Sequence, residues 1–319
     1  MPTPIFHVEQ PGLLSTVQDR GRVGWQGDGM VVAGAMDPFA SQIANIVVGS
    51  GRGAAVLEIT LRGPMLRALT EATVAVCGAD LSAHCDGEAL PLWQSVQVKR
   101  GQTLGFGPRR AGTRAYLAVA GGFDSPPVLG SRSTYLRGGM GGIDGRALQR
   151  GDVLSATGTG VGRPGRSLAP KETPQYGSPT VVCVLPGTHG GAFDGSAWET
   201  LMSAPYCVAP QSDRMGYRLT GPRLGYAPDF GGSILSEAVP WGGLQVPPDG
   251  QPILLTADRQ TTGGYPLIGV AASVDLPGVA QAGPGDEIVF HPISLEDAQE
   301  LAVAQERLLR LLELAAAAG

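Results

Sequence analysis

Short apolar runs recur along the chain, each too brief for a typical helix and each closed by glycine, proline or a small polar residue. Ala55-Val56-Leu57-Glu58-Ile59-Thr60-Leu61 alternates, so Glu58 and Thr60 share one face while Leu57, Ile59 and Leu61 share the other, which is the period of a strand. Ala72 to Cys77 and Ala115 to Ala120 are continuous apolar runs, expected of strands buried on both faces. Ile5 to Glu9 and Leu13 to Gln18 predict two more strands at the start, and Thr180 to Leu185 opens a second series. A turn phrase recurs, with glycine where the backbone needs positive φ and a strand immediately after it. It appears at Gly101, Gly151 and Gly285. Two segments follow a helical period instead. Asp37-Pro38 is an N-cap followed by proline at the first helical position, with Phe39, Ile43, Ala44, Ile46 and Val47 as the apolar face and Gly49 as the stop. Ser294 and Asp297 form a capping-box pattern ahead of a C-terminal helix with Leu301, Ala304, Leu308, Leu311 and Leu312 as its stripe.

These elements predict a mainly β protein with a few short helices and a C-terminal helix, built as barrels rather than as a βαβ sheet. Thr157 to Gly177, nearly devoid of apolar residues, predicts a linker. The expected division is a first β-barrel domain over 1–165, a second over 166–293 and a terminal helix over 294–319. The 49 glycines and 26 prolines suit many tight turns. A net charge of −5 argues against nucleic acid or an anionic membrane as the main partner. Lys99 and Lys171 are the two lysines, and neither stands in the Gly-Lys-Ser/Thr setting of a phosphate-binding loop. Cys77, Cys85, Cys183 and Cys207 have no Cys-x-x-Cys spacing and are expected as free thiols in a cytoplasmic protein. No metal site is expected, because His84, Cys85 and Cys77 supply three ligands and no fourth.

The candidate chemistry lies in polar turns. Ala257-Asp258-Arg259-Gln260-Thr261-Thr262-Gly263-Gly264-Tyr265-Pro266 sits between two apolar runs. It reads either as a hairpin satisfying its own turn or as a loop presenting donors and acceptors to a cleft. Similar clusters stand at Gln18-Asp19-Arg20-Gly21, Ser131-Arg132-Ser133-Thr134, Ser212 to Arg218 and Ser236 to Val246. Arg132 and Arg214 are candidates for clamping a carboxylate or phosphate.

Those phrases, with Gly12 to Arg22, Gly34-Ala35-Met36-Asp37-Pro38 and Leu57-Glu58-Ile59-Thr60, resemble the allophanate hydrolase subunit 2 family, also read as the C subunit of 5-oxoprolinase. They also resemble one half of the carboxyltransferase domain of urea carboxylase. The resemblance runs from about Gly12 to Phe290. It implies two cyclophilin-like β-barrel domains and a role as the C subunit of a complex that opens 5-oxo-L-proline to L-glutamate with 5-oxoprolinase subunits A and B. ATP is then used by the complex, and no cofactor is expected on this chain. Within that resemblance Glu58, Glu237 and Asp258 are candidate general bases, and Arg132 and Arg214 are candidates to stabilise an anionic adduct. Asp19, Ser133, Gln245, Gln260, Thr261, Thr262 and Tyr265 complete the candidate substrate site. Two other functions fit the resemblance. One is a biotin-dependent carboxyltransferase component for a urea-like substrate. The other is a non-catalytic regulator that binds a kinase-inhibitor-type homologue of the B subunit.

Overall fold

The computed structural model describes residues 2–318. The chain divides into two compact units. One gathers the described residues of Met1–Val23, Ala33–Tyr176 and Arg307–Gly319; the other gathers Gly24–Val32 and Gly177–Glu306. Among the described residues four α-helices accompany the strands: α1 (Pro38–Val47), α2 (Ala197–Ser203), α3 (Leu276–Gln281) and α4 (Leu295–Ala318).

In the first unit a five-stranded sheet runs in the order Leu14–Gln18, Val56–Thr60, Ala111–Val119, Ala72–Asp80, Ser95–Val98. A seven-stranded sheet, with Thr3–Gln10 and Met65–Ala68 near its centre, contributes to the same core. The alternation seen in the sequence decides which side chain goes where. Leu57 and Ile59 join Ile5, Phe6, Val74, Val76 and Leu117 in that core. Val56 faces the other way, with Ala75, Cys77 and Tyr116, against Ile43, Ile46 and Val47 of α1. Residues 74–79 and 115–119, in the Ala72–Asp80 and Ala111–Val119 strands, are therefore apolar because both faces are covered.

Helix α1 begins where the sequence predicts. The Asp37 carboxylate accepts the Ala40 amide at 2.8 Å, and Gly49 follows the last turn at φ +80°. Asn45, an unfavourable residue inside a helix, donates to the Ala54 carbonyl at 2.7 Å. Helix α4 starts on its capping box, the Asp297 amide donating to Ser294 Oγ at 3.1 Å. The packed face of α4 is Leu308, Leu309, Leu312 and Ala316. Leu301 and Leu311, expected on that stripe, are exposed. No helix among the described residues is long and apolar enough to cross a membrane.

The glycine- and proline-rich segment after Ala156 lies along the first unit. Gly160, Arg166 and the Leu168 amide exchange backbone hydrogen bonds of 2.8–2.9 Å with Thr73, Ser95 and Trp93. Backbone groups make those bonds, so they leave no apolar signal in the sequence.

The second unit is a closed barrel. Its order is Thr180–Pro186, Leu267–Ala271, Gly243–Gln245, Ile253–Leu255, Gly216–Thr220, Tyr206–Val208 and Glu287–Pro292, the last closing on the first in parallel. Val182, Val184, Leu219, Leu244, Leu254, Ile288 and Phe290 are buried. Tyr206 stacks at an angle on Phe290, with ring centroids 5.8 Å apart, and burial pushes its phenol up to about 12.

The three recurring turns all carry the expected glycine conformation, at φ +87° for Gly101, +95° for Gly151 and +89° for Gly285. Nothing lies within 4 Å of where a Cβ would stand at any of them. Gly151→Ala therefore isolates the backbone cost of the turn. It should lower the stability of the first unit by about 1–2 kcal/mol, read as a shift in its urea midpoint; an unchanged midpoint contradicts this account of the turn.

Candidate functional site

The stretch from Ala257 to Pro266 is not a hairpin. Its flanking strands, Ile253–Leu255 and Leu267–Ala271, are not neighbours, because Gly243–Gln245 lies between them and pairs with both. The loop therefore has to cross over a strand, and it is pinned at its entry. The Arg214 carbonyl accepts the Asp258 amide at 2.7 Å and the Thr256 hydroxyl at 2.6 Å. The Arg214 guanidinium meets the Asp258 carboxylate in a bidentate pair, Nε to Oδ2 at 3.0 Å and Nη2 to Oδ1 at 2.9 Å. Both residues are buried, Arg214 at 6% and Asp258 at 4% exposure. Two parallel charge-assisted bonds are the arrangement that best offsets desolvation of both ions.

Beyond the clamp the loop leans on a second segment. Thr262–Gly263 pairs with Glu237–Ala238 as a short antiparallel ladder, extended by the Val239 amide to the Thr261 carbonyl at 3.2 Å. Beneath it the buried Gln245 amide donates to the Tyr265 carbonyl at 3.4 Å and accepts from Gln260 Nε2 at 3.2 Å. A Cβ on Gly263 would stand 2.4 Å from Gln245 Nε2. Close approach, and not a left-handed backbone, is what this glycine provides, since φ is not positive at Gly263 or Gly264.

The side chains left at this rim are polar and titratable. The Glu237 side chain is 43% exposed and its Oε1 lies 3.5 Å from His189 Nε2. His189 Nδ1 in turn accepts the Leu267 amide at 3.2 Å. Arg259 donates from Nε to the Val239 carbonyl at 3.3 Å, is half-buried, and is pushed below the usual arginine range by burial. It forms no ion pair with any described carboxylate. Tyr265 is 41% exposed, Thr262 is exposed and Thr261 half-buried.

The candidates in the first unit are held differently. The Asp19 carboxylate accepts from Ser131 Oγ (2.6 Å), Ser133 Oγ (2.5 Å) and the amides of Arg132 (2.6 Å) and Gly21 (2.8 Å). Arg132 pairs with Asp124 at 3.0 Å. Glu58 is 2% exposed and accepts the Met36 amide at 2.8 Å and the Tyr116 hydroxyl at 2.9 Å. Burial, then the Glu58 charge, pushes the Tyr116 phenol well up. Each carboxylate here is occupied by donors from other segments of the same unit.

Of the residues expected from sequence, Glu237, Gln245, Gln260, Thr261, Thr262 and Tyr265 thus come together at one rim, with Asp258 and Arg214 as the clamp beneath. Asp19, Arg132 and Ser133 form a separate network, and Glu58 another. Sequence reasoning passed over His189 and left Arg259 without a role. The available signals were a histidine set in Thr188-His189-Gly190-Gly191 and a second arginine inside the polar stretch itself.

A closed barrel carrying a polar, glycine-rich rim, in a chain that also forms a two-sheet unit, places the molecule among known proteins. The family described as carboxyltransferase domain, subdomain A and B, matches residues 28–292, and the chain belongs to it. The chain is 38% identical over 304 residues to the 5-oxoprolinase C subunit of Escherichia coli (strain K12), covering 95% of this chain and 96% of that protein. It is 34% identical to urea amidolyase of Lachancea kluyveri, covering 97% of this chain but 18% of that one. Among solved structures, the Kluyveromyces lactis urea carboxylase superposes with a TM-score of 0.91 at 32% identity, over 98% of this chain and 29% of that chain.

The clamp makes a stability prediction. Arg214→Met leaves the Asp258 charge buried without its bidentate partner and should destabilise the second unit by about 3–5 kcal/mol. Adding Asp258→Leu should recover most of that loss in urea unfolding. An Arg214→Met protein with an unchanged midpoint contradicts the clamp.

Proposed function

We propose that this chain is the C subunit of an ATP-dependent 5-oxoprolinase, which opens 5-oxo-L-proline to L-glutamate together with subunits A and B. The observation that carries this reading is the reciprocal coverage with the Escherichia coli protein, 95% of one chain and 96% of the other. The urea amidolyase match is nearly complete on this side only. The chemistry of the rim supports it. Ring opening of a lactam needs a carboxylate or imidazole able to move a proton, and Glu237 and His189 lie together at an exposed edge. It also needs a site for the substrate's own carboxylate, and the rim carries a cation. ATP is assigned to the partner subunits, because neither lysine stands in a phosphate-binding loop.

The second reading is a carboxyltransferase component for a urea-like substrate. The TM-score of 0.91 with urea carboxylase favours it.

Reconstitution decides between them. Mixed with subunits A and B, the chain should give glutamate from 5-oxoproline only when ATP is present, and omitting this chain should abolish the product. Glutamate formed equally well without it points to a regulatory role. No glutamate, with carboxylation of urea by a biotin-dependent partner, establishes the carboxyltransferase reading.

A further inference from the structure

We infer that Arg259 is the carboxylate anchor of the barrel rim and that Glu237, held by His189, is the proton acceptor beside it, so that together they take a small carboxylic acid bearing a hydrolysable amide. The identity of that acid rests on the 5-oxoprolinase reading; the arrangement of the three side chains does not.

The cations sort themselves by partner. Arg214 is bound bidentately to Asp258 and Arg132 to Asp124. Arg259 makes one hydrogen bond, from Nε to a backbone carbonyl. That bond orients the guanidinium while leaving its two Nη groups, the fork that matches a carboxylate. A half-buried charge without a counter-ion is held at a cost, which an anionic ligand removes. A neutral substrate offers it nothing.

The tether also places the anchor. Arg259 is bonded to the carbonyl of Val239, two residues beyond Glu237, and two strand residues span roughly 7 Å. A five-membered lactam fits a pair so spaced, its carboxylate accepting from the Arg259 Nη groups and its carbonyl carbon reached by a water that donates to Glu237.

The contacts of His189 assign the proton acceptor of the pair. His189 Nδ1 accepts the Leu267 amide, so the proton of the neutral ring sits on Nε2, facing Glu237 Oε1 at 3.5 Å. One ring nitrogen is then occupied as an acceptor and the other is already protonated. The imidazole thus keeps its proton on the side of the carboxylate, close enough to orient it electrostatically, and Glu237 is the base. As a water oxygen bonds to the lactam carbonyl carbon, one water proton passes to Glu237. The electron pair of that O–H bond stays on the attacking oxygen, and the C=O π pair moves onto the carbonyl oxygen. When the adduct collapses, that pair re-forms C=O, the C–N bond breaks toward nitrogen, and Glu237 returns the proton to the nitrogen. Water is consumed and the carboxylate is regenerated, while the ATP hydrolysed on the partner subunits supplies the free energy that drives the ring opening forward.

The test uses the complex of this chain with subunits A and B, and separately the full chain alone. Arg259→Gln should raise KM for 5-oxoproline at least about tenfold with a smaller change in kcat. It should also erase the wild-type preference for 5-oxoproline over 2-pyrrolidinone, the same lactam without the carboxylate. Glu237→Gln should lower kcat about a hundredfold or more with KM little changed. His189→Ala should lower kcat about tenfold. His189→Gln, whose side-chain N–H reaches where Nε2–H does, should restore most of it, which a purely structural role does not predict. In the isolated chain, 5-oxoproline should shift the Arg259 Nε–H resonance saturably. Unchanged KM in Arg259→Gln, wild-type kcat in Glu237→Gln, or no resonance shift on titration overturns the proposal. A wild-type complex without turnover removes the 5-oxoprolinase reading, and the titration then decides the anchor by itself.

Discussion

The buried pair between Arg214 and Asp258 is the constraint on which the rim of the second barrel depends. Two ions at 6% and 4% exposure are a poor way to gain stability, because desolvation consumes most of what their attraction returns. Their value is geometric. With the two bonds to the Arg214 carbonyl, they determine where the Ile253–Leu255 strand stops and in which direction the chain leaves the barrel. The bond from Arg259 to Val239, the Thr262–Gly263 ladder and the amide of Gln245 all follow from that departure point.

The first unit uses buried carboxylates in the same spirit. Asp37 caps α1, Glu58 receives the amide just before it, and Asp19 gathers four donors from two separate segments. Polar residues in glycine-rich turns are thus of two kinds. Some accept from the amides and hydroxyls of the segments they hold in place. Others, such as Glu237 and Arg259, are oriented by one contact and leave their remaining atoms uncommitted. That distinction separates scaffold from site more sharply than residue type does.

The strands, the cap of α1, the capping box of α4 and the three glycine turns were legible in the sequence because each is decided within a few residues. The polar stretch around Thr261 was legible as a set and not in its roles. Arg214 and Asp258 are far apart in sequence, and nothing local distinguishes an arginine that will be paired at the end of a neighbouring strand from one that will not. The hairpin alternative failed for a related reason: strand neighbours are a property of topology, and here Gly243–Gln245 intervenes. The segment after Ala156 resembled a free linker since its hydrogen bonds come from the backbone. His189 was passed over because its significance lies in the Leu267 amide and the Glu237 carboxylate, both distant in sequence.

The most direct measurement is a crystal structure of the assembled complex with 5-oxoproline bound. The substrate carboxylate should lie on the Arg259 guanidinium, with the lactam carbonyl carbon beside Glu237 and the Arg214–Asp258 pair intact beneath. A substrate whose carboxylate is held by Arg132 or Arg214, or one bound away from the rim, contradicts the account.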